Sequence, residues 1–243
     1  MTLPVSSSST APSRPRRTAV QRVLQVLLAL ALPVLLLALA VRLVATPAFL
    51  WLEYHRPGFP ADHWGMGLGE RMTFGSYGLD YIMNLAPPEY LAGLVSPEGG
   101  LAFTPGEVSH MTDVQHVMLW GLGLAGCLLV LSALAAWYLH RTAPGAAAAA
   151  WFAGSWLTVV LLVVAAVAGL LGWERFFAGF HALFFSSGTW TFSVTDTLIR
   201  LYPTQFWIDA AVTVALVTLV GAFAVMLLAA RRTRRARALR PRT

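Results

Sequence analysis

Four apolar runs constrain this chain more than anything else in it. They extend from about Val23 to Val41, Val117 to Leu139, Ala146 to Gly172 and Ile208 to Ala230. Each reaches the roughly 20 residues that an α-helix needs to cross the hydrocarbon core of a bilayer. In lipid every backbone N–H and C=O must be satisfied within the segment, so each run is expected to be a spanning helix. Pro33 lies inside the first run and is tolerated there as a kink. That run follows a basic RPRR stretch, but it is longer than a signal-peptide core and no A-x-A site follows it, so it is expected to be a retained span. Composition agrees with this: 57% of the 243 residues are apolar and only 12% are charged, as in a polytopic membrane protein.

Arginine is the sole strong base, with 17 copies and no lysine, which excludes Schiff-base and lysine-nucleophile chemistry. Arg14, Arg16, Arg17 and Arg22 precede the first span, Arg141 lies between the second and third, and RRTRRARALRPRT follows the fourth. The segment from Thr46 to Gln115 instead carries eight acids against Arg56 and Arg71. Positively charged flanks mark the cytoplasmic side. Both termini are therefore expected in the cytoplasm, with the two long loops outside. Basic tails beside spans report topology, and no nucleic-acid partner is expected. The single cysteine, Cys127, lies in an apolar run and offers neither an intrachain disulfide nor a thiol in a polar segment.

The chain divides accordingly. A basic tail expected to be disordered covers 1–21 and the first span 22–45; a first extracytoplasmic cap segment covers 46–115 and the second span 116–139. A cytoplasmic loop (140–145) leads to the third span (146–172), a second cap segment (173–207), the fourth span (208–230) and an Arg-rich tail (231–243). The fold class is all-α membrane protein, with four transmembrane helices under a mixed cap formed by the two outer loops. Those loops are too long for connectors and too aromatic for disorder. FFAGFHALFF reads as a helix lying in the membrane interface, too short to span and too apolar for water. TDTLIRLY reads as a short amphipathic helix with Thr195 as its N-cap and Pro203 just past its end.

Chemistry concentrates at two places. EVSHMTDVQH (residues 107–116) puts Glu107, His110 and Asp113 on one broad face of a helix that runs on into the second span. An ionisable group at that depth is costly unless paired or solvated. His110 is therefore either a functional group or a junction residue paired with Glu107 or Asp113. His181, flanked by Phe177, Phe184 and Phe185, is expected at the same depth. Alone it reads as a packing residue, whereas beside His110 it would complete a pair able to supply a base near neutral pH and a hydrogen-bond donor to developing negative charge. A metal site built from Glu107, His110, Asp113, His116 and His181 is the competing chemistry. No HExxH or CxxC supports it, and His110 and His116 fall on opposite faces of a straight helix. Ser109, Ser186 and Ser187 lie in no G-x-S-x-G elbow, and WGMGLGE lacks the lysine and βα context of a phosphate loop.

The motifs SHMTDV before the second span and FHALFFSSGTWTF…TDTLIRLYPTQFW before the fourth, within a four-span pattern, resemble the bacterial lipoprotein intramolecular transacylases. The resemblance covers the chain from the first span to the fourth. It implies an enzyme of the bacterial cytoplasmic membrane acting on diacylglyceryl lipoproteins, with membrane lipid around it. The enzyme would move the sn-2 acyl chain to the α-amino group of the N-terminal cysteine, leaving a lyso-form lipoprotein. It maps the family's catalytic histidines onto His110 and His181, with no cofactor and no metal. Asp113, Glu107, Asp196 and Trp190 are expected to support them, Asp113 or Glu107 by orienting His110. Phe177, Phe180, Phe184 and Phe185 are expected to form the substrate pocket. A metal-dependent membrane hydrolase and a non-catalytic four-span protein, whose cap binds lipid or a partner, are the alternatives.

Overall fold

The computed structural model describes residues 17–238, with side chains to residue 232. The tail expected to be disordered lies outside the described residues up to position 16, as do the last five residues of the arginine tail. Within the described residues the chain forms α1 (Ala19–Val44), α2 (Pro47–His55), α3 (Leu68–Met83), α4 (Glu89–Ala92), α5 (Pro105–Thr142), α6 (Ala146–Leu171), α7 (Trp173–Phe184), α8 (Thr197–Leu201) and α9 (Thr204–Ala238). Helix thus begins at Ala19 and takes in the last three residues of the segment expected to be disordered. Thr18 sets that start: its hydroxyl accepts from Gln21 N–H while the Gln21 side chain accepts from Thr18 N–H, the reciprocal pair of a capping box.

Helices α1, α5, α6 and α9 are long and apolar enough to cross a membrane. Their outer faces stay apolar and exposed, as at Leu27, Leu131, Leu161 and Leu216. Stripes of this extent are covered by lipid rather than water. Helix α1 is the centre of the bundle, packing on α5, α6 and α9, while α6 packs closely on α9 and only lightly on α5. The α1–α6 contact is tight because position 154 is glycine: a Cβ there would sit 2.7 Å from the Ala29 carbonyl oxygen. Small residues that bring backbones together are the usual adhesive between helices in lipid. At one end of the bundle, Gln21 and Gln25 donate to the carbonyls of Thr142 and Ala146, tying α1 to the short α5–α6 turn.

The cap at the other end is helical rather than mixed. Its one piece of β pairing among the described residues is an isolated antiparallel bridge, Val95 to Leu101. Helix α5, 38 residues long, extends about 57 Å at 1.5 Å per residue, nearly twice the hydrocarbon thickness. Its first turns therefore stand inside the cap, whose core gathers Phe74, Tyr81, Leu91, Phe103, Val108, Met111, Leu198 and Leu201. Polar side chains bind the cap to α5 and close its loops. Gln115 Nε2 donates to the carbonyls of Tyr81, Asn84 and Ala86, satisfying the frayed end of α3. Arg200 grips Asp62 through Nε and Nη2 at 3.1 and 2.9 Å. Arg56 pairs with Glu53 and with Asp209, joining α2 to the start of α9. Asp196 occupies the N-cap position of α8 without a side-chain capping bond, and its carboxylate instead accepts from Ser193 N–H. The cap residue is thus one position later than Thr195.

Candidate active site

Two cap elements far apart in sequence carry the histidines. His110 lies one turn into α5, whose start is rigidly specified. Pro105 occupies the first turn, Thr104 Oγ1 accepts from Glu107 N–H, and Glu107 Oε2 accepts from Thr104 N–H at 2.7 Å. The other oxygen of Glu107 accepts from Leu198 N–H at 2.6 Å, so this fully buried carboxylate locks the start of α5 to the start of α8. Both of its oxygens face these donors. It does not orient His110, whose Nδ1 is buried with no hydrogen-bond partner among the described residues.

His181 lies on α7, the twelve-residue helix that breaks away from α6 at Gly172. Its twelve residues are too few to span a bilayer, and Phe177 packs against Trp207 of α9 at 6.0 Å. His181 Nδ1 is 2.9 Å from the Phe177 carbonyl oxygen. A carbonyl only accepts, so Nδ1 carries the proton and the neutral ring keeps its free lone pair on Nε2. Burial holds the His181 pKa below the ordinary histidine value of 6.5, and the bond to Phe177 O partly offsets this.

The two imidazoles meet. Their centroids are 6.1 Å apart and their planes differ by 27°, with His110 8% and His181 7% exposed. Aromatic rings enclose them: Phe177 at 4.1 Å and Trp190 at 4.9 Å from His181, Phe185 at 4.9 Å from His110 and 5.6 Å from His181. Phe180 presents its edge to His181 at 5.7 Å and is half exposed. Phe184 is also half exposed and packs on Phe180 and Phe185, one layer out from the histidines. Phe192, not anticipated as a site residue, stands 5.5 Å from His110. The signal for it was its place two residues after Trp190, in the same extended stretch.

Trp190 reaches His181 because the chain folds back after α7 through a turn in which Gly188 has φ +85°, a conformation open to glycine at little cost. Its indole Nε1 is buried without a hydrogen-bond partner among the described residues. Asp113 is exposed three residues past His110 and makes no hydrogen bond among the described residues. Asp196 stands at the N-cap position of α8 and is no part of the cluster. His116 is exposed. No three His, Cys, Asp or Glu side chains gather as a metal-ligand group among the described residues.

A cap on four membrane-length helices, with two imidazoles in contact inside an aromatic enclosure, defines a polytopic membrane protein with a buried histidine pair. Residues 26–207 match the family of the lipoprotein intramolecular transacylase Lit, three quarters of the chain, and the chain belongs to that family. It is thus a membrane-integral acyltransferase acting within a lipoprotein. An uncharacterized protein of Aquifex aeolicus is 28% identical over 85% of this chain and 93% of its own length. The solved structure of the transacylase Lit from Bacillus cereus covers 90% of this chain and 98% of its own, with a TM-score of 0.66 and 18% identity. A variant of that enzyme with one histidine replaced by arginine gives a TM-score of 0.61 at 19% identity. At such identities the likeness is one of fold.

Proposed function

We propose that this protein moves the sn-2 acyl chain of a diacylglyceryl lipoprotein to the α-amino group of the same molecule's N-terminal cysteine, with His110 and His181 as acid and base. The contact between these two buried imidazoles, brought from α5 and α7, carries the reading. Donor ester and acceptor amine belong to one substrate, so no acyl-enzyme is required. The protein has to fold the substrate back on itself and move protons. Holding two reacting groups together in this way lowers a barrier by roughly 7–11 kcal/mol in favourable cases.

His181 is the base. Its Nε2 lone pair takes the amine proton as the nitrogen attacks the ester carbonyl. His110, alongside, delivers a proton to the glyceryl oxygen as the C–O bond breaks and is reprotonated by the proton that His181 took up, so the pair passes one proton from amine to leaving oxygen. Two imidazoles this close in an apolar enclosure work as one neutral pair, since charging both would set like charges side by side. The half-exposed Phe180 and Phe184 receive the acyl chains where cap meets lipid. The arginine-rich ends of the bundle lie in the cytoplasm and the cap lies outside, where mature lipoproteins are displayed.

Co-expression with a diacylated reporter lipoprotein tests this. Acyl migration is isomeric, so the intact mass of the N-terminal lipopeptide stays constant and its fragments must locate the chain. N-acyl cysteine with a lyso-glyceryl group is expected from the wild type. It should be absent with His110→Ala or His181→Ala, each variant accumulating in the membrane at the wild-type level. A diacylglyceryl cysteine with a free amine beside well-expressed wild type contradicts the proposal.

A further inference from the structure

The reaction needs something that the histidine pair does not provide. When the amine attacks, the C–N bond forms and the carbonyl π electrons move onto oxygen, while the amine proton passes to His181 Nε2. The oxyanion then collapses, the C–O bond to glycerol breaks, and the glyceryl oxygen takes a proton from His110, which the proton gained by His181 replaces, so that both rings end neutral as they began. With one histidine accepting and the other donating to the leaving oxygen, the oxyanion still lacks a hydrogen-bond donor. In a site closed to water such a donor carries much of the transition-state stabilisation.

The backbone offers little. Beyond their first turns the N–H groups of α5 and α7 are committed to their own helices, and the first amide after α7, Phe185 N–H, donates to the His181 carbonyl. Ser186 and Ser187 are exposed. Among the described residues the buried side-chain nitrogens without a partner are those of Arg71, His110 and Trp190. Arg71 lies elsewhere in the cap, against Tyr54 and Phe59. His110 is already assigned to the leaving oxygen. Trp190 remains, its ring 4.9 Å from His181 and its Nε1–H enclosed. Indole nitrogen only donates, and an enclosed N–H left unpaired is costly in a resting protein, so its presence here calls for a purpose.

We propose that Trp190 Nε1–H is the oxyanion donor of the transacylation, a catalytic residue that binds the ester carbonyl oxygen as it becomes charged. This rests on the two-histidine reading above, and the experiment separates the two.

The full chain in lipid vesicles is given a synthetic diacylglyceryl lipopeptide, and initial rates are followed from the N-acyl fragment. Three Trp190 forms are compared: wild type, Trp190→Phe, and a form with 3-benzothienylalanine at this position, which keeps the indole shape and lacks the N–H. Both altered forms are expected to lose about 10²–10³-fold in kcat, the range for removing one oxyanion donor. KM should stay close to wild type, because the bond strengthens only in the transition state. The pH midpoint should not move, because the His181 lone pair is untouched. A benzothienyl form turning over at the wild-type rate overturns the inference, even if Trp190→Phe is slow, since packing alone would then be its role. A shifted pH midpoint overturns it too, by placing the effect on His181. In either case, inactive His110→Ala and His181→Ala forms leave the two-histidine reading standing. Active histidine variants would sink both.

Discussion

In the proposed reaction His181 Nε2 is the base, and its protonation gives the sharpest residue-scale prediction. That role requires a neutral imidazole, and acid removes its lone pair. The rate must therefore fall as pH drops through its pKa. Burial holds that pKa below the ordinary 6.5, so the acid limb of kcat/KM should have its midpoint below about 6.5. A midpoint above that value, or a rate rising into acid with chemistry shown to be rate-limiting, contradicts the assignment. Glu107 gives a second prediction. Both of its oxygens accept, from Thr104 and Leu198. Glu107→Gln would turn an NH2 toward one of those N–H donors. The loss should be about 2 kcal/mol, the scale of a buried hydrogen bond to a charged group. It should appear as a lower melting temperature in detergent. Unchanged melting would mean that the α5–α8 lock contributes nothing.

At the scale of elements, the spanning helices were legible because hydropathy is a one-dimensional property of sequence. FFAGFHALFF likewise declared itself a short separate helix, and all of it but Phe185 lies in α7. The helical character of the first cap segment was not legible. Helix α8 was read from TDTLIRLY with its cap one position early, whereas α4, four residues long, is too short for periodicity to register. Their place is set by contacts distant in the chain, such as the Arg200–Asp62 pair. For the same reason Glu107 read as a neighbour of His110 from helical spacing, whereas its true partner, Leu198, is 91 positions away. The histidines themselves were visible as candidates, since a titratable group at the edge of an apolar run stands out. Phe192 was hidden among many aromatic residues. The element most sensitive to substitution is the α1–α6 contact. Gly154→Leu would drive a side chain into the Ala29 backbone, where overpacking costs about 1–3 kcal/mol or more. Melting temperature and activity should fall together, with the pH midpoint of the residual activity unchanged. Wild-type melting in this variant would show that the two helices do not press on each other at that point.

Over the whole molecule, division of labour follows from where each kind of residue is solvated. Lipid covers the bundle, whose apolar outer faces need no partner. The cap carries most of the acids and both candidate histidines, and α5 is long enough to belong to both cap and bundle. The proposed reaction at that junction suits a substrate with its acyl chains in the membrane and its polypeptide in water. Such a substrate brings both reactants with it. The central claim is therefore that the acyl group never leaves the molecule it started on.

A crossover experiment tests that claim most directly. Two synthetic lipopeptides, differing in peptide sequence and with only one carrying a deuterated sn-2 chain, are mixed in vesicles containing the purified protein. Each product is then fragmented in a mass spectrometer. Transfer within one molecule predicts deuterium solely on the N-acyl group of the peptide that began with it. Label on the other peptide's amine, or appearing as free fatty acid, would contradict the account.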